Sequence, residues 1–383
     1  MRLASPFQQI QLGVLVGKSQ ERDSADDVAE WKLLLTPEEL QLRRSFQLKG
    51  TEPPRISSDQ IIVRNLKYEA KKQRWPVRAE AIDSEKIKSL SSSKIIQIFN
   101  QYDFIVLLTT TPMYEARTLE AYEKFFEVIE KTKAITYPRP GYLKFLFDKA
   151  EYMKLLQSVG IPIIPSKYWH KSERENQVHN NWSEALAEIK KYAEIWNTNL
   201  LITKPSHAAG KVRNMQWDMT DPKIILGLKK WFENIYSDFQ ESCILIQPYL
   251  ETFALGKEIR TFWLKEKFAY AVETEPPSML KPADLSHHDW KKHPILNKLV
   301  PIGERVLETL PFDGTSPKIL VRIDFGQELL TDHETFNPKW NTQYFVNEIE
   351  MIEACLFPDW TRYDIIKELS DAIMKVCLKK GFS

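Results

Sequence analysis

Two hydrophobic periods alternate along this chain: short apolar or β-branched runs of strand type, and longer stretches with helical spacing. The runs IIVRN (Ile61–Asn65) and DFIVLLTTT (Asp103–Thr111) end in polar residues and predict buried strands. Between them DSEKIKSLSSSKIIQIFNQ has helical spacing with a serine-rich interruption, and MYEARTLEAYEKFFEVIEKT after Pro112 predicts an amphipathic helix. TYPRPGY (Thr136–Tyr142) packs prolines and a glycine together and predicts a linker. A helix, LKFLFDKAEYMKLLQSVG, and a strand entered through IPIIPSKYW come next. A helix over Trp182–Trp196, the strand NLLITKPS, a helix over Pro222–Tyr236 and the strand CILIQPYL follow. Strands then dominate (EIRTFWLK, KFAYAVET, KILVRIDFG and TQYFVNEIEMI) before a closing amphipathic helix over Asp364–Lys380.

The pattern is α/β, and 383 residues exceed what one core usually spans, so two or three packed subdomains are expected. Hydrophobic residues at 43% and charged residues at 27% place the chain among folded rather than disordered proteins. Lys and Arg number 53 against 52 Asp and Glu, which lacks the basic excess of a dedicated nucleic-acid binder. Cys243, Cys355 and Cys377 are widely spaced in apolar surroundings, which predicts reduced thiols rather than a disulfide framework or a zinc site. The short N-terminal apolar stretch is broken at once by polar residues, and no run approaches a membrane span. The expectation is a cytoplasmic protein without a membrane partner.

Five segments carry candidate chemistry. In NLLITKPSHAAGK a strand leads to Lys204, followed by a small-residue loop from Pro205 through Ser206 to Gly210. Such a loop can offer backbone N–H groups to phosphate while the lysine neutralises its charge, although the order of a Walker loop is absent. In EIRTFWLK, strand alternation puts Glu258 and Arg260 on one face and Ile259, Thr261 and Trp263 on the other. A carboxylate and a guanidinium side by side suit a ribose diol and a phosphate, or a cross-strand ion pair. In KILVRIDFG and TQYFVNEIEMI, Arg322 shares a face with Asp324, and Glu348 with Glu350. Three carboxylates on two strands are costly to crowd unless a cation sits between them, for which Mg²⁺ with ATP phosphates is the usual answer, or unless one or more points into solvent. Thr109, Thr110 and Thr111 sit where a strand ends, the side of an open α/β sheet that binds ligands.

Each signal is loose alone, but their order resembles the ATP-grasp superfamily over roughly Phe145–Phe357. The ordered set is a lysine opening a helix, a lysine before a small-residue loop, Glu-x-Arg on a strand, then Arg-x-Asp and Glu-x-Glu on late strands. The resemblance implies a mixed α/β (α+β) fold, with an N-terminal pre-ATP-grasp α/β domain over 1–135. Two subdomains, a lid over 141–252 and a metal-bearing C-terminal subdomain over 253–383, would clamp ATP between β-sheets. It implies phosphate contacts from Lys149 in FDKAEYMKLL and from Lys204, base contacts at Gln247, Tyr249 and Leu250, and a ribose contact from Glu258. The EIRTF pattern looks like the branch with ribosomal-protein glutamate ligases and graspetide ligases, which gives Arg260 a phosphate role. Asp324, Glu348 and Glu350 match the metal positions, and Arg322 matches the arginine that stabilises the reacting centre in D-alanine ligases. Glu350 stands where asparagine is common, and its extra charge favours two ions.

The implied cofactors are ATP and Mg²⁺, with Mn²⁺ as a substitute, and the implied substrates are small-molecule or peptide carboxylates and amines. The implied reaction forms an acylphosphate that an amine attacks; a homodimer is the default assembly. Two alternatives stand beside the ligase. One is a small-molecule kinase on the same fold, for which Lys211, Arg213, Lys291 and Lys292 could hold an anionic acceptor; the other is an ATP-binding regulator without turnover. The excursion PADLSHHDWKKHP (Pro282–Pro294), with His287, His288 and Trp290, is a candidate specificity insert, and His207 at the small-residue loop has no assigned role.

Overall fold

The computed structural model describes residues 9–17, 24–26, 55–110, 113, 119–207, 214–237, 242–250, 258–275, 280–285, 289–311, 318–327, 344–352, 354–358 and 361–381. In chain order the first unit comprises β1 (Ile10–Val16), β2 (Ser24–Asp26), β3 (Arg55–Ser57), α1 (Ser58–Lys72), β4 (Val77–Asp83), α2 (Ser84–Ile87), α3 (Ser92–Phe99), β5 (Phe104–Leu107), α4 (Leu119–Lys131) and β6 (Ile135–Tyr137). The four main strands form a parallel sheet in the order β4-β1-β5-β6. Leu12, Val14, Leu15 and Val16 are fully buried, as expected where a parallel sheet is covered on both faces. α1 covers one face and α2 to α4 the other.

Two expectations fail in this unit. Ile61–Asn65 is not a strand but the second turn of α1. Ser58 to Leu66 are all buried, so the helix has no polar face there and its apolar run carries no helical period. Thr136–Tyr142 is not a free linker: Tyr137 ends β6, a cis peptide precedes Pro138, and Pro140 opens α5 (Pro140–Phe147) at a position where proline suits a helix start.

The single helix expected next is two, α5 and α6 (Lys149–Ser158). They part at Asp148, whose carboxylate accepts from Ala150 N and Glu151 N as the N-cap of α6. β7 (Lys167–His170), α7 (Lys171–Asn180), α8 (Trp182–Ile195), β8 (Leu200–Pro205), β9 (Met215–Asp218), α9 (Pro222–Ser237) and β10 (Cys243–Pro248) then build an antiparallel sheet ordered β7-β10-β8-β9. One face, with Trp169, Leu201, Trp217, Ile244 and Ile246, packs on the three helices as a separate core. The opposite face carries Tyr168, Leu245, Gln247, Ile202 and Lys204, by their cross-strand register.

The third sheet is antiparallel, β13-β12-β11-β14-β15, from β11 (Glu258–Leu264), β12 (Lys267–Glu275), β13 (Leu280–Asp284), β14 (Leu320–Gln327) and β15 (Tyr344–Glu350). α10 (Leu296–Thr309) and α6 cover one face, on Ile259, Trp263, Val321, Ile323 and Phe325. The other face is apolar at one end, where Phe262, Leu264, Tyr270 and Leu320 join β1, α1 and the final helix α11 (Ile365–Gly381) in one core. At its other end the same face is charged. Among the described residues no helix is long and apolar enough to cross a membrane.

Candidate active site

The charged end follows from strand register. Arg260 on β11 stands opposite Asp324 on β14, while Arg322 stands opposite Glu350 and Asp324 opposite Glu348 on β15. These side chains therefore share a face, with Glu258 two residues before Arg260. Arg322 grips Asp324 with two hydrogen bonds of 2.8 Å and comes within 2.7 Å of Glu350 Oε2. Arg260 reaches Glu258 at 2.9 Å and Asp324 at 4.0 Å. Arg322 and Asp324 are 3% and 1% exposed, so this cluster lies in the sheet rather than on a solvated rim.

A second element closes on it. Lys149, the first residue of α6, ion-pairs Glu348 at 2.7 Å. Its helix start is tied to the end of β8: Lys149 N donates to Ser206 O, Ala150 N donates to Ser206 Oγ, both at 3.1 Å, and Ser206 Oγ donates to Asp148. Lys204 lies two residues before Ser206 on the open face of the second sheet. Lys149 and Lys204, 55 positions apart in sequence, are thus brought to one place. Gln247 lies on the same face as Lys204 and donates to Ser166 Oγ at 2.8 Å. Tyr249 N donates to Leu200 O at 2.9 Å, which fixes the backbone that continues to Leu250.

Four cations and four carboxylates share little water, and their proton affinities diverge. Burial raises Glu350 to about 8, with Arg322 opposing and Glu348 and Asp324 reinforcing the rise. Burial also raises Asp324, to about 6, against the pull of Arg322 and Arg260. Glu348 feels the same burial, but Lys149, Arg322 and Lys204 outweigh it and hold its carboxyl at about 2. Burial, aided by Lys149, lowers Lys204 to about 8 against the attraction of Glu348 and Glu258. Among the described residues no three His, Cys, Asp or Glu side chains form a ready metal cage. Arg322 stands between Asp324 and Glu350, and Lys149 holds Glu348.

The sequence offered no direct sign of three supporting residues. Asn347 occupies a bulge in β15 between Val346, opposite Phe325, and Glu348, opposite Asp324. The bulge aims Asn347 Nδ2 at Glu258 Oε1, 2.9 Å away. Asp148 and Ser166 act through a cap and a hydroxyl, and only the Asp-Lys start of α6 hinted at the first. His207 lies 4.0 Å from Asp148 and tilts against Tyr122 of α4. Thr109 is engaged elsewhere, donating at 3.0 Å to Asp59, which also accepts from Gly17 N. Gly210, Lys211, Arg213, Thr111, His287 and His288 lie outside the described residues.

No family model matches the chain, and no curated protein matches its sequence. Solved structures do. D-cycloserine synthetase DcsG superposes with a TM-score of 0.63 at 12% identity, over 96% of this chain and 99% of that one. D-alanine–D-alanine ligase from Bacillus anthracis, complexed with ATP, gives 0.53 at 13% identity over 97% and 98%. The ATP-grasp ligase PsnB, complexed with a variant precursor, Mg and ADP, gives 0.50 at 12% identity over 97% and 99%. The chain has the ATP-grasp fold. The likeness extends over nearly the whole length of each ligase, so the parallel sheet of the first unit belongs to the shared architecture as much as the two antiparallel sheets do.

Proposed function

We propose that this protein is an ATP-dependent ligase that phosphorylates a carboxylate and couples the acylphosphate to an amine. One observation carries the proposal: Arg260, Arg322, Asp324, Glu348 and Glu350 share one face of three neighbouring strands, and Lys149 of a separate helix is ion-paired into it. Buried ion clusters are often no more stabilising than apolar residues of the same volume, so their retention favours a chemical role. The ATP-using ligases with the same fold point in that direction.

The donor set fits a divalent cation. Asp324, Glu348 and Glu350 are oxygen donors; Arg322 and Lys149 engage the first two, whereas Glu350 Oε2, though 2.7 Å from Arg322, receives no aligned N–H. These three would hold one or two Mg²⁺, or Mn²⁺, which when bound spreads the charge of the transferring phosphoryl group. Lys149, Lys204 and Arg260 would neutralise the phosphates; the Ser206 N–H is already given to Cys243 O at 2.9 Å and Gly210 lies outside the described residues. Gln247, Tyr249 and Leu250 would meet the base, and Glu258, held by Asn347, the ribose. A substrate carboxylate oxygen attacks the γ-phosphorus and ADP departs. A neutral amine would then attack the acyl carbon, phosphate would leave and the amine nitrogen would lose a proton, with Arg322 or Arg260 to hold the oxyanion.

Of the four basic residues named for a kinase, Lys211 and Arg213 lie outside the described residues. Lys292 is 80% exposed and pairs with Asp289, and Lys291 lies over Trp290, which is a solvated face rather than an acceptor pocket. The test is phosphate release from Mg-ATP against pools of amino acids, small carboxylates, peptides and polyphosphorylated alcohols, with an Asp324→Ala/Glu348→Ala control. Release that needs both a carboxylate and an amine, and is lost in the control, supports the ligase. Transfer to an alcohol without free phosphate would overturn it.

A further inference from the structure

Gln247 is fixed at one end of its amide and unpartnered at the other. Its Nε2 donates to Ser166 Oγ at 2.8 Å, and Ser166 Oγ donates to Ile164 O at 2.8 Å. The one hydroxyl proton goes to Ile164 O, which can only accept, and the Tyr168 phenol lies beside the same serine oxygen, so toward Gln247 the serine accepts. The amide nitrogen must therefore face Ser166 and the amide oxygen must face away. Gln247 Oε1 is a buried acceptor without a hydrogen-bond partner, in a residue 2% exposed. Native structures rarely leave such an atom unsatisfied, because its lost hydration is not repaid.

The orphan oxygen belongs to the ligand-facing side of the second sheet. Gln247 stands opposite Ile202 and Leu245 opposite Lys204, so Gln247 lies two residues, or about 7 Å, along the strands from the lysine. One nucleotide can span that distance. Resting on the ATP assignment above, we propose that Ser166 sets base selectivity at this site by locking Gln247 with its oxygen toward the base. A lone acceptor matches the exocyclic amino group of a 6-aminopurine. It opposes the carbonyl of a 6-oxopurine, with two acceptors face to face and neither satisfied. Flipping the amide to suit the oxopurine would set Gln247 Oε1 against a serine oxygen whose proton is committed to Ile164. Ser166 acts through Gln247 and is a positioning residue.

Mg-ADP and Mg-IDP differ at the purine 6-position, which makes them the probes. Their dissociation constants are measured by calorimetry for the wild-type protein and for Ser166→Ala, Ser166→Thr, Gln247→Ala and Lys204→Ala. The wild type should favour ADP by about a hundredfold or more, since a site built around one buried hydrogen bond rejects a partner that cannot make it. Ser166→Ala should lower that ratio by about tenfold or more, largely through tighter IDP binding, and Ser166→Thr should restore it. Gln247→Ala should abolish the preference, and Lys204→Ala should weaken both nucleotides with the ratio intact. A merely structural role for Ser166 would weaken both nucleotides together. An unchanged ratio in Ser166→Ala, with Lys204→Ala still weakening binding, overturns the inference alone. No binding of either nucleotide by the wild type overturns the ATP assignment with it.

Discussion

Magnesium–nucleotide binding should release a proton, and the amount can be worked from the carboxylates of β14 and β15. With Glu350 at about 8 and Asp324 at about 6, roughly nine-tenths of the Glu350 carboxyls and roughly one-tenth of the Asp324 carboxyls carry a proton at pH 7. Lys204, at about 8, lacks its proton in roughly one chain in ten at that pH. A divalent cation requires the carboxylates ionised, and a polyphosphate requires the lysine charged. Glu348, at about 2, is already ionised and exchanges nothing. The sum is a net release of about one proton at pH 7, rising below that pH as Asp324 joins in. The release should shrink toward pH 8, as Glu350 ionises beforehand and Lys204 begins to take up a proton. Affinity for Mg-ADP should therefore climb about tenfold between pH 6 and 7 and level off near pH 8. Calorimetry with saturating Mg²⁺, in pairs of buffers with different ionisation enthalpies, reads the proton count directly. Glu350→Gln should abolish the release at pH 7. No proton exchange at pH 7, or the same exchange in Glu350→Gln, would refute the assignment of Glu350 to the cation.

Other perturbations have equally definite outcomes. Gly303→Ala should destabilise by about 1–3 kcal/mol in urea titrations, although the same change usually helps a helix, because its Cβ would come within 2.2 Å of the fully buried Trp263 indole. Arg322→Ala should cost about 3–5 kcal/mol by leaving the deeply buried Asp324 without its two hydrogen bonds, and added Mg²⁺ should recover part of the loss. A thiol reagent should label about one cysteine in the native chain, half-buried Cys355. Cys243 and Cys377 are sequestered, and burial pushes the Cys377 thiol up to about 12. Mass spectrometry of native and urea-unfolded protein separates the sites.

The chemistry of the third sheet was legible because strand alternation fixes which side chains meet, as Arg260 with Asp324 and Arg322 with Glu350 show. The late strands were legible for the same reason. The first unit was harder. β1, IQLGVLV, is buried on both faces and has no alternation, while the buried first turns of α1 mimic a strand run. The two residues that brace Glu258 and Gln247 were out of reach for another reason. Asn347 depends on a bulge and Ser166 on a partner 81 positions away, and neither relation leaves a local pattern.

The core that joins the first and third sheets also sets an order of events. Ile365, Leu369, Ile373 and Cys377 of α11 pack with Ile10, Leu12 and Val14 of β1 and with Ile62 and Leu66 of α1. Synthesis brings out β1 before α11, so that strand waits for all the intervening elements before its core can close. The sheet from β7 to β10 has a core drawn entirely from its own residues and can form in the interval. Synthesis should thus yield a folded second sheet before β1 is covered. During that wait the apolar β1 is exposed to chaperones, and a ribosome stalled before α11 should leave it open to proteolysis.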